Sequence, residues 1–128
     1  MTNSILDKIA GITSAEGHKA KVQMTETQRK NMLVKLKAQN RMNVYPNMFN
    51  VDIPFRVQVK KGGEWNTYGY FTNVDVASAV GTICSAALFP TNSLAGTYDR
   101  EVVEAHPEFA RWLADERNQE ILTAVGMS

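Results

Sequence analysis

The chain has little of what would declare a chemistry. It holds a single cysteine, Cys84, so no internal disulfide can form, and a lone thiol fits a reducing compartment. Its two histidines, His18 and His106, stand at no metal-ligand spacing to Cys84 or to a carboxylate. It has no serine elbow, phosphate loop or metal-binding pattern. No catalytic residue, metal or cofactor is therefore expected, and the chain reads as a non-enzyme. No apolar run reaches the roughly 18–20 residues of a membrane span. The start, MTNSILDKIA, lacks a basic stretch ahead of a long apolar one, so neither a membrane segment nor a secretory signal is expected. What remains is a cytoplasmic protein that works by binding.

What is present suits one modest core: 128 residues, expected to fold as a single domain, with an ordinary hydrophobic fraction of 44%. The formal net charge of +1 conceals a division. Residues 1–63 carry eleven Lys/Arg against four acids, a net of +7, and residues 64–128 carry three Arg against nine acids, a net of −6. Such a split points to one side facing a polyanion and an acidic side opposite; the alternative is two solvated halves that pair with each other.

Three segments follow from periodicity. Residues 1–42 form a basic helical segment. Ile5, Ile9 and Ile12 have helical spacing over 4–12, and 13–24 reads as a linker. Thr25-x-x-Gln28 is a capping box opening a second helix to about Asn40, with a narrow stripe of Met32, Leu33 and Leu36. Residues 43–89 form a sheet-plus-helix module. FRVQVK alternates, with Phe55, Val57 and Val59 on one face and Arg56, Gln58 and Lys60 on the other. KGGE supplies a turn, EWNTYGYF a second strand, and NVYPNM an edge strand, because Pro46 cannot donate to a ladder. Thr72 or Asn73 can cap the helix that follows, with Asp75 in its first turn. Val76, Val80, Ile83, Cys84 and Ala87 make one apolar face for the sheet, while Gly81 weakens the helix interior. Residues 90–128 form an acidic helical segment. Pro90 ends the preceding helix, PTNSLAGTYD is a loop, a short helix lies near 99–105, and Pro107 opens a last helix with Phe109, Trp112 and Leu113 on its apolar face. Glu104 with Glu108, and Asp115 with Glu116, read as a solvated acidic face, and Cys84 as inert core. The expected fold is α+β: a three-stranded antiparallel sheet packed on a helix, with flanking N- and C-terminal helices.

Over residues 43–89 the pattern resembles the ethylene-response-factor/apetala-type DNA-binding domain of plant transcription factors and of phage homing endonucleases and integrases. The aromatic-led strand from Phe55, the glycine turn, the strand end Tyr68-Gly69-Tyr70-Phe71 and the capped helix with Ala77 and Ala79 carry the likeness. Asn43-Val44-Tyr45 is similar to the family's Gly-Val-Tyr, with Asn43 in place of Gly. The resemblance implies a sheet lying on duplex DNA with its helix behind. It implies that Arg56, Gln58 and Lys60 on one strand, and Trp65 and Thr67 on the next, meet bases and phosphates, with Tyr45 on the first strand beside them. Strict alternation puts Trp65, Thr67 and Gly69 on one face and Asn66, Tyr68 and Tyr70 on the other. The family pattern wants Tyr68 inward and Trp65 outward, which would make Trp65 a contact residue; the alternative is that Trp65 is a core anchor. The basic helix adds Lys35, Lys37 and Arg41 as a backbone clamp or an ordinary solvated face.

The leading reading is thus a non-catalytic DNA-binding protein with double-stranded DNA as its partner, regulatory in a phage or mobile element and placed in the host cytoplasm. One rival is a small phage-type inhibitor that binds and blocks a host enzyme or defence complex. A second is sequestration of a nucleotide-type ligand, with Trp65 or Tyr70 stacking.

Overall fold

A computed structural model describes residues 22–89 and 98–127. The helix expected over 4–12, most of the linker after it, His18, Pro90 and the loop to residue 97 lie outside the described residues.

The alternating middle of the chain folds as a sheet with strand order β1-β2-β3: β1 (Val44–Pro46), β2 (Phe55–Lys61) and β3 (Glu64–Phe71), both pairs antiparallel. Pro46 sits on the edge strand. Gly62 (φ 60°) and Gly63 (φ 81°) make a two-residue turn between the paired Lys61 and Glu64. Two successive positive φ angles match the right-handed strand twist, and glycine adopts them without steric cost.

α1 (Glu26–Ala38) opens on the expected capping box: the Gln28 N–H donates to Thr25 Oγ1 at 3.1 Å, and the Thr25 N–H to Gln28 Oε1 at 2.8 Å. It stops before Asn40. That residue turns left-handed (φ 59°), its N–H donates to the Lys37 carbonyl, and the Arg41 N–H donates to the Leu36 carbonyl. This double closure is how an Asn just past a helix end satisfies the last carbonyls.

α2 (Val74–Leu88) is capped by Asn73 rather than Thr72; the Asn73 side chain accepts from the N–H groups of Asp75 and Val76. The expectation of one apolar face is corrected: ten of its fifteen residues are buried. The sheet covers one side, and α3 (Arg100–Glu104), α4 (Pro107–Ala114) and α5 (Gln119–Ala124) cover the other. A helix apolar around most of its girth belongs between two layers. The single last helix is also corrected. It breaks at Asp115, whose side chain accepts from the Arg117 N–H and starts a 3-10 turn (Glu116–Asn118). Buried Asn118 and half-buried Gln119 then donate to the carbonyls of Trp112 and Leu113, so the break leaves those acceptors satisfied.

One buried cluster draws on every layer, from Leu36 and Val44 through Val57, Val59, Phe71, Val76, Val80, Ile83 and Cys84 to Val103, Phe109, Trp112 and Leu122. Within it, burial pushes the Cys84 thiol up to about 12. The thiolate is the reactive form, so the native protein should resist alkylation at pH 8 and label on unfolding. Cys84→Ala should lose about 1 kcal/mol of stability for the one atom removed. Rapid labelling of the native protein would contradict this placement. No helix among the described residues is long and apolar enough to cross a membrane.

Candidate nucleic-acid interface

The two faces of the sheet are set by register. Directly paired residues share a face, so Val44 with Val57, Pro46 with Phe55, and Phe55 with Phe71 point toward α2. Tyr45 with Arg56, Gln58 with Thr67, and Lys60 with Trp65 point away. Arg56, Gln58, Lys60, Trp65, Thr67 and Tyr45 are therefore brought together on one face.

A bulge decides the parity of β3. Val57 pairs with Gly69 and Gln58 with Thr67, leaving Tyr68 as the extra residue. Such an insertion resets alternation on the bulged strand. Tyr68 packs against the core, and Trp65 and Thr67 face out with Tyr70. Trp65 is thus a surface residue, 53% exposed, and not a core anchor. The carbonyl of the bulged Tyr68 accepts from the Trp112 indole N–H at 2.9 Å, which ties the irregularity to α4.

The outward face has a closed end and an open end. The closed end was not foreseen. Residues 47–54 fold over it, held by Asn47, whose N–H and side-chain amide donate to the carbonyls of Pro54 and Ile53. Asn50 accepts from the Asp52 N–H. Val22 and Met24 pair with this loop through Val51 N–H to Val22 O and Met24 N–H to Met48 O. Tyr70 is wholly buried at this end, and Ile53 and Met24 nearly so, apart from the main cluster. The Arg56 guanidinium lies 5.9 Å from the Phe49 ring centroid and hydrogen-bonds the Tyr70 hydroxyl. Burial pushes the Tyr70 hydroxyl pKa up, and Arg56 opposes that shift. Arg56 Nε is buried with no hydrogen-bond partner among the described residues. Arg56 is thus half-covered, between an aromatic lid and a buried phenol. The Asn-rich NMFNVD stretch held the only signal for this loop, since Asn side chains accept from the backbone two residues on.

The open end carries Tyr45, Gln58, Lys60, Trp65 and Thr67. Tyr45 and Trp65 meet edge to face, centroids 5.6 Å apart. The Lys60 ammonium lies 5.8 Å from the Trp65 ring, and the Gln58 amide donates to the Thr67 hydroxyl at 3.3 Å. Lys61, the next residue of β2, lies toward the α2 side instead, its ammonium 6.0 Å from the ring of Phe89 at the end of that helix.

Lys35, Lys37 and Arg41 do not join this face. Leu36 of α1 enters the core on the α2 side of the sheet. Arg41 donates to Asp75 Oδ1 at 2.7 Å in the first turn of α2, so its charge is balanced there, while Lys35 and Lys37 stay exposed. Arg29 is likewise paired, with Glu26. The acidic segment divides too. Glu101, Glu104, Glu116 and Glu120 are exposed in the helical layer behind α2. Glu108, expected to be solvated, is buried instead: its carboxylate accepts from the N–H groups of Thr72 (2.8 Å) and Asn73 (3.1 Å) at the start of α2. Among the described residues no group of three His, Cys, Asp or Glu gathers to hold a metal. Set against protein-family models, curated proteins and solved structures, the chain matches none of them.

Proposed function

We propose that this protein is a non-catalytic DNA-binding protein and that the open end of the outward sheet face is its contact surface. The observation that carries the reading is the grouping of Lys60, Gln58, Thr67, Trp65 and Tyr45 on one exposed face, with the exposed acids of Glu101, Glu104, Glu116 and Glu120 in the layer behind α2. Lysine neutralises phosphate, and amide and hydroxyl groups can bond base edges. Arg56 supports the surface from beneath more than it offers a free fork to a base, because Phe49 and Tyr70 occupy it. Lys35 and Lys37 contribute long-range attraction from another side.

Binding should weaken steeply with salt, since each phosphate neutralised adds roughly 0.9 to the log–log slope on duplex DNA and about 0.7 on a single strand. Fluorescence anisotropy between about 50 and 200 mM salt checks this. Binding absent at low salt on both duplex and separated strands, or flat across that range, would reject the reading. It would leave a protein-blocking role in its place, favoured by the exposed Met48, Phe49 and Trp65.

A further inference from the structure

We infer that the open end of the sheet takes the unpaired bases of a single strand in preference to duplex DNA, an inference that rests on the DNA-binding reading above. In an intact duplex both faces of each base are covered by neighbours in the stack, so a surface indole finds no base face to meet. An unpaired strand offers one at every nucleotide, and aromatic side chains on single-strand-binding surfaces are used in that way. Here Trp65 is 53% exposed and braced on its partner Tyr45 at 5.6 Å, so its ring is held in place before any ligand arrives. The Lys60 ammonium, 5.8 Å from the indole, supplies positive charge for the phosphate that must accompany a stacked base. Gln58 and Thr67, bonded to each other on the same face, offer polar groups to a base edge. The closed end argues against a duplex. The folded loop with Phe49 over Arg56 stands on the same face, which shortens the open surface and covers the arginine best suited to reading a groove.

The chain contains its own reporter. Of its two tryptophans, Trp112 is 1% exposed and Trp65 is 53% exposed, so quenching by added nucleic acid reports on Trp65. The full chain is titrated at about 50 mM salt with oligothymidylate of roughly 12 nucleotides and with a mixed-sequence duplex of the same length. The expected result is at least tenfold tighter binding of the single strand, with quenching. Trp65→Ala lacks that reporter, so its affinity is read by the anisotropy of fluorescently labelled oligothymidylate; it should fall about tenfold or more while thermal unfolding stays cooperative. Trp65→Phe should retain most of the affinity, because a smaller ring still stacks. Duplex binding that equals or exceeds single-strand binding would overturn this inference and leave the DNA-binding reading standing. Failure of both ligands to bind would overturn both. Undiminished oligothymidylate binding by Trp65→Ala would place the contact elsewhere on the protein and overturn the site.

Discussion

Replacing Glu108 by alanine should cost about 3 kcal/mol of stability, although the sequence offers Glu108 as one more acid in an acidic segment. The residue is 1% exposed, and its carboxylate accepts from the backbone N–H groups of Thr72 and Asn73, where the chain leaves β3 and enters α2. Those donors lie at a helix start, where the macrodipole also favours negative charge. Truncation removes charge-assisted hydrogen bonds and leaves two donors with only such water as can enter, each costing about 1–3 kcal/mol if unmet. Glu108→Gln should lose less, about 1–2 kcal/mol, because one oxygen still accepts while the amide faces a donor. Glu104→Ala is the control. Its exposed pair with Arg100 is a surface ion pair within one helix, screened by solvent, so losing it should leave stability nearly unchanged. Urea unfolding of the three variants at constant slope separates the cases. Equal stability of the two alanine variants would show that the Glu108 cap contributes nothing.

That contrast marks where sequence reasoning stopped. Patterns that repeat within an element were readable. The Thr25/Gln28 box, the alternation from Phe55 to Val59, the Gly62-Gly63 turn and the Pro107 helix start each depend on residues a few positions apart, and each is present in the fold. What failed depends on partners far along the chain. Glu108 meets residues 35 and 36 positions away, and Trp112 meets the Tyr68 carbonyl 44 positions away. Period counting carries no information about such pairs. The candidate surface shows the same division. Arg56, Gln58 and Lys60 were legible as one face because alternation held on β2, but the bulge at Tyr68 broke it on β3. The loop that lays Phe49 over Arg56 had no period at all. A net charge counted by chain halves also could not anticipate that Arg41 would spend its charge on Asp75.

Gly81→Ala should destabilise the protein by about 2 kcal/mol, although helix propensity alone argues for a gain of about 1 kcal/mol from that change. The opposing effect is close approach. A Cβ on residue 81 would sit 2.6 Å from the Met42 carbonyl oxygen and 3.2 Å from Asn43 Cβ. The obstacle is backbone, and that backbone is pinned. Arg41 N–H donates to Leu36, the Asn43 carbonyl accepts from the Gln58 N–H at 3.0 Å, and Val44 pairs with Val57. Asn43 holds a left-handed φ of 65°, a conformation that Asn tolerates better than most residues, and its side-chain amide donates to the Gly81 carbonyl at 3.1 Å. The glycine in the helix and the asparagine before β1 are therefore two halves of one contact. To admit a methyl group, α2 must move away from the start of β1, and overpacking of this kind costs about 1–3 kcal/mol beyond the propensity gained. Asn43→Gly isolates the other half: it keeps the backbone conformation and gives up the hydrogen bond, for a loss of about 1 kcal/mol. Gly81→Val, with a branched side chain against the same carbonyl, should be worse than Gly81→Ala. A rise in melting temperature for Gly81→Ala would mean that helix and strand are not in contact there and that propensity governs the position.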